Sequence, residues 1–86
     1  MIKNKNVFFG VYEVIEKNVK LKNGNIKRIE VDEMPVFIDD KIINILEFLN
    51  NKIKYNHIAT YIKNKSKIMI DKKYYRVYKF IEIKKS

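Results

Sequence analysis

Residues 19–51 read VKLKNGNIKRIEVDEMPVFIDDKIINILEFLNN, and within them the hydrophobic period changes from two to helical. Asn23-Gly24 is the strongest turn signal in the chain, because both residues tolerate the positive φ that tight hairpins need. Flanking runs rich in β-branched residues predict a hairpin around it. A two-residue loop would place Val19 opposite Arg28. A three-residue loop, Asn23–Asn25, places Val19 opposite Ile29 and Lys17 opposite Val31. The second register is preferred, since a slip of one residue sends every side chain to the other face. Pro35 cannot donate to a strand ladder and is expected to end the hairpin, leaving Val36–Ile38 as a short separate strand. Asp39 then has the character of a helix N-cap, with Ile38 and Ile43 placed for a hydrophobic staple. Ile42, Ile45, Leu46 and Leu49 recur at helical spacing and predict a helix over residues 40–51.

Working outward, Val7 to Glu16 (VFFGVYEVIE) is β-branched and aromatic, and apolar on both faces, which predicts a central strand. Gly10 inside it allows a bulge or a close approach by another backbone. Downstream, Tyr55, Ile58, Ala59 and Ile62 predict a second helix over residues 55–64, with Asn56 as the N-cap candidate. From Lys67 the pattern returns to period two. Ile68 and Ile70 mark a short strand, Asp71-Lys72-Lys73 a turn, and Tyr74 to Ile83 a long strand. The order is β-β-(β)-α-α-β-β. The expected fold is α+β, a small antiparallel sheet with two helices packed on one face.

The 86 residues are expected to form a single domain, residues 1–86, whose stability rests on an apolar content of 47%. Without cysteine there is no disulfide and no thiolate metal site. No apolar run approaches the about 20 residues of a membrane span. The start carries Lys3 and Lys5 before an apolar patch, but that patch is too short for a signal peptide and an acid closes it. A cytoplasmic protein with no membrane partner is expected.

The net charge is +9, and its distribution is uneven. Residues 1–29 carry +5, residues 30–51 carry −5 and residues 52–86 carry +9. Such asymmetry points to an anionic partner. Lysine supplies 17 of the 19 bases, as a coding sequence rich in adenine and thymine also would, so charge alone does not identify that partner.

Residues 72–80, KKYYRVYKF, carry the most specific pattern. Alternation sends Tyr75, Val77, Ile81 and Ile83 to one face and Tyr74, Arg76, Tyr78 and Phe80 to the other. The second set, flanked by Lys72, Lys73 and Lys79, has the makings of a stacking platform for unpaired bases. Cross-strand aromatic pairs also stabilise sheets with no ligand, so ordinary sheet packing is the competing explanation. The acids Glu30, Asp32, Glu33, Asp39 and Asp40 offer a different surface, one that could dock on a host protein.

No catalytic centre is visible. His57 is the only histidine, and acid–base or metal chemistry needs partners at defined spacing. The acids do not follow a calcium-loop pattern, and no glycine-rich phosphate loop exists. No metal and no cofactor are expected. The functional expectation is therefore a small basic, non-enzymatic binder of nucleic acid or a nucleoprotein. The alternative is a protein–protein regulator or inhibitor of the kind that phages and other mobile elements encode against host proteins.

Overall fold

The computed structural model describes residues 3–85, with the side chains of residues 6–32 and 34–83. Its elements run β1 (Lys3–Lys20), β2 (Ile26–Asp39), α1 (Ile42–Phe48), α2 (Ile58–Asn64), β3 (Ile68–Ile70) and β4 (Lys73–Lys85). The four strands form one antiparallel sheet in the order β2-β1-β4-β3. This is the expected α+β architecture, with the chain's first strand at the centre. Long apolar β1 takes that place by pairing on both sides, with β2 and with β4.

Phe9 and Val11 from β1 and Val77 from β4 form the floor of the core. Ile45, Leu46 and Leu49 from the first helical segment cover it, together with Ile53, Ile58, Ile68 and Ile70. Both helices thus pack on the face that Phe9, Val11 and Val77 share. Among the described residues no helix is long and apolar enough to cross a membrane.

Several local expectations are corrected. Pro35 does not end the hairpin: β2 continues through it to Asp39, and Val36–Ile38 belong to the same strand. The strand tolerates Pro35 because it lies at the sheet edge and the ladder shifts register on either side of the Tyr12–Pro35 pair. The observed hairpin register places Val19 opposite Lys27 and Lys17 opposite Ile29. Neither expected register is adopted, because the loop closes earlier. Leu21 N donates to Asn25 O at 2.8 Å, Gly24 N to Leu21 O at 3.0 Å, and Asn25 N to the Asn23 side chain at 3.0 Å. The offset from the preferred register is two residues, so side chains keep the faces it assigned.

Helix α1 is shorter than residues 40–51. Asp39 does act at its start, but from two residues before the Lys41 cap: its Oδ1 accepts from Lys41 N at 2.7 Å and from Asn44 Nδ2 at 3.1 Å. The backbone bond holds the Asp39 carboxyl below its ordinary pKa, and the Asn44 amide adds to this. Ile43 is 58% exposed and Ile38 55%, so the staple does not form as a buried contact. At the other end Asn50 and Asn51 take positive φ, and Asn51 N donates back to Leu46 O at 2.8 Å, which terminates the helix. Helix α2 begins at Ile58 with His57, not Asn56, at the cap. Tyr55 lies outside the helix and is 71% exposed.

Gly10 brings no bulge into β1 and no second backbone against it. Instead a Cβ there would meet the rings of Tyr12 and Phe80 at 3.1 and 3.2 Å. Glycine lets those two rings lie over the strand.

Candidate functional site

On the face away from the helices, β1 and β4 carry an aromatic cluster. Phe8 and Phe80 stack with centroids 5.2 Å apart, and Tyr12 meets Tyr78 edge-on at 5.2 Å. Tyr12 to Phe80 and Tyr78 to Phe80 are each 6.4 Å. The alternation read from residues 74–80 is therefore realised, and Tyr78 and Phe80 join the rings of β1.

The cations expected beside that cluster are not free on it. The Arg76 side chain is 19% exposed. Its Nη1 donates to Asp32 Oδ1 at 3.0 Å, its Nη2 to Glu30 Oε1 at 3.2 Å, and its Nε to the Lys65 carbonyl at 2.9 Å. Burial opposes the charge on Arg76, but bonds to Asp32 and then Glu30 outweigh it and raise the guanidinium pKa. Lys67 Nζ donates to Glu30 and also lies 5.0 Å above the Tyr74 ring. That Lys67 bond, with Arg76 behind it, holds the Glu30 carboxyl below its ordinary range. Tyr78 OH donates to Asp32, and burial followed by this bond pushes the phenol pKa up.

The two candidate surfaces thus meet in one network. Glu30 and Asp32, expected to dock a protein, neutralise Arg76 and Lys67. Lys73 and Lys79 alternate to the helix-bearing face, where Lys79 pairs in register with Phe9. Lys72 sits in the β3–β4 turn at φ 67°. Of the six residues expected to form a platform, only Tyr74, Arg76 and Tyr78 lie on the aromatic face. Asp39 is engaged at the start of α1, Asp40 is exposed beside it, and the Glu33 side chain lies outside the described residues. Among the described residues no three His, Asp or Glu converge to hold a metal.

A site not singled out from the sequence emerges from the topology. β4 pairs with β1 only as far as Val14, opposite Tyr74. Beyond it β1 and β2 continue alone through six further pairs, from Ile15–Val31 to Lys20–Ile26. Every residue from Glu16 to Arg28 is exposed. The result is a two-stranded arm about 20 Å long at the usual strand rise. Residues 17–29 carry Lys17, Lys20, Lys22, Lys27 and Arg28, and no acid. Lys17 and Lys27 alternate to one face and Lys20 and Arg28 to the other, with Lys22 in the loop. Arg28 pairs with Glu16 across the arm. At the root of the arm sit Glu30 and Asp32, bonded to Arg76, Lys67 and Tyr78. The acids of β2 therefore brace the arm against β4 and against Lys67 just before β3, and its bases project beyond them.

Comparison with protein-family models, curated proteins and solved structures found no match. The site is read from its own geometry. A sequence signal for the arm did exist: Lys17 and Lys20 fall on opposite faces of one strand, and Lys27 and Arg28 on opposite faces of the other. Such a hairpin has no face to contribute to a core.

Proposed function

We propose that the protein is a non-enzymatic nucleic-acid binder that uses its basic β-arm, residues 16–30, against the phosphate backbone. One observation carries this reading: five bases and no acid across residues 17–29 of an exposed two-stranded ribbon. The major groove of a DNA duplex, about 12 Å wide, admits a two-stranded ribbon. Four of the five bases are lysine, which acts on phosphate as a point charge, and Arg28 is held by Glu16. Bonds of this kind position a protein on nucleic acid without reading its sequence. Binding is expected to be strongly salt-dependent and weakly sequence-dependent.

The test is a salt titration of duplex binding by fluorescence anisotropy. The combined variant Lys20→Gln, Lys22→Gln, Lys27→Gln should flatten the slope of log affinity against log salt by about 0.9 for each phosphate no longer neutralised. A charge-matched control, Lys52→Gln, Lys54→Gln, Lys72→Gln, should leave most of the slope in place. Equal losses in the two variants would reduce the effect to net charge and sink the assignment to the arm.

A second reading follows from the helix-free face. Phe8, Tyr12, Tyr78 and Phe80 form a ring cluster whose neighbouring arginine is neutralised, and Ile38, directly opposite Gly10, is exposed. An uncharged aromatic patch suits a protein surface, as an inhibitor or regulator of a host protein would need. A photo-crosslinking residue at position 38, used in cells, separates the two readings. Protein adducts lost in Phe80→Asp support docking; adducts to nucleic acid count against it.

A further inference from the structure

A cavity of about 420 Å³ lies on the opposite face from the aromatic cluster, between α2 and the sheet. Phe9 and Ile58, both buried, supply its floor, and Ile42 and Ile62 its half-buried walls. Two lysines line the same space from different elements: Lys63 in the last turn of α2 and Lys79 on β4. Among the described residues no acid lines it, and neither lysine's ammonium group has an ion pair or hydrogen bond. The volume falls in the range of small-ligand pockets, which are mostly apolar with a few polar groups that fix orientation.

We propose that this cavity binds a small amphiphile with an apolar body and one carboxylate, such as a medium-chain fatty acid. The apolar chain would cover Phe9, Ile42, Ile58 and Ile62. The carboxylate would sit between the two ammonium groups, whose mutual repulsion an anion relieves. Each lysine can donate a charge-assisted hydrogen bond to it. The site lies away from the arm and does not depend on nucleic-acid binding.

The probe is decanoate, titrated into the full chain below its micellar concentration and followed by amide chemical shifts. Saturable shifts centred on Phe9, Ile58, Ala59 and Ile62 are expected, and decanol should bind far more weakly. The double variant Lys63→Gln, Lys79→Gln should weaken binding by about tenfold or more, the loss expected for a charge-assisted bond. The charge-matched Lys20→Gln, Lys22→Gln variant on the arm should bind normally. Ala59 is exposed, so Ala59→Trp should keep the fold and obstruct the cavity. Non-saturable shifts, decanol binding as tight as decanoate, or equal losses in the two lysine variants would overturn the proposal. So would capture of the protein by phosphatidylglycerol vesicles without binding of soluble decanoate, since that would assign the lysines to a lipid surface.

Discussion

Lys72 sits at φ 67° and Asp71 at φ 50°, in the two-residue loop that joins Ile70 to Lys73. Positive φ at both central residues is the demand of a type I′ hairpin. Aspartate tolerates it, whereas lysine carries a Cβ that crowds its own backbone there. Lys72→Gly should therefore stabilise the domain by about 0.5–1 kcal/mol, after allowing for glycine's greater freedom when unfolded. Lys72→Val should destabilise it, since a β-branched residue suits that region least. Thermal melts of the pair would check this, and a lower melting temperature for the glycine variant would refute it. Glu30 makes a second prediction at this scale. In the folded protein its carboxyl is held below the ordinary range, with the bond from Lys67 the leading cause. A depressed carboxyl contributes stability above its unfolded pKa and loses it as pH falls through the folded one. Glu30→Gln should therefore shift melting temperature most at neutral pH, and the difference from wild type should shrink below about pH 4.

Among the elements, α1 shows how far periodicity reaches. Ile45, Leu46 and Leu49 are buried as their spacing requires, while Ile43 faces solvent. Leu46→Ala should cost about 2–4 kcal/mol, as for other buried aliphatic truncations. Ile43→Ala should change stability by less than about 0.5 kcal/mol. Denaturant melts showing similar losses for both would mean that the helix is rotated from the face described. Strand and helix identities, the central position of β1 and the buried face of α1 were legible in the sequence, because they follow from local period and burial; of the face expected for α2, Ile58 is buried but Tyr55 and Ala59 are exposed. Element ends were not. The α1 terminus depends on Asn50 and Asn51 taking left-handed conformations, and β2 continues past Pro35 because its neighbour β1 tolerates a shifted register. The Arg76–Asp32 and Lys67–Glu30 pairs were hidden for a different reason. They join residues 44 and 37 positions apart, across a strand order that local pattern does not determine. Without that order, acids and bases that neutralise one another read as two separate surfaces.

At the scale of the molecule, whose longest dimension is 54 Å, the buried core and the two-stranded arm use different residues. The buried cluster uses Phe9, Val11, Val77 and residues from 45 to 70, and nothing between Glu16 and Glu30 belongs to it. The acids that brace the arm lie at its root, at Glu30 and Asp32, outside the segment that carries its bases. The arm should therefore be removable. Lys17 and Ile29 are direct partners in the ladder, so replacing residues 18–28 with Asn-Gly closes the hairpin through a loop that matches strand twist. The shortened protein keeps the core, both helices and the Glu30–Lys67 and Asp32–Arg76 pairs. It should still melt cooperatively, within about 5 °C of the parent, a change of about 1 kcal/mol for a domain this size. Lys20, Lys22, Lys27 and Arg28 leave with the loop. If each meets a phosphate, the salt slope of duplex binding should fall by about 3–4. A folded, shortened protein that binds duplex with unchanged affinity and slope would move the nucleic-acid surface off the arm. Loss of cooperative melting would mean instead that the arm contributes to the core, contrary to the absence of any of residues 18–28 from the buried cluster.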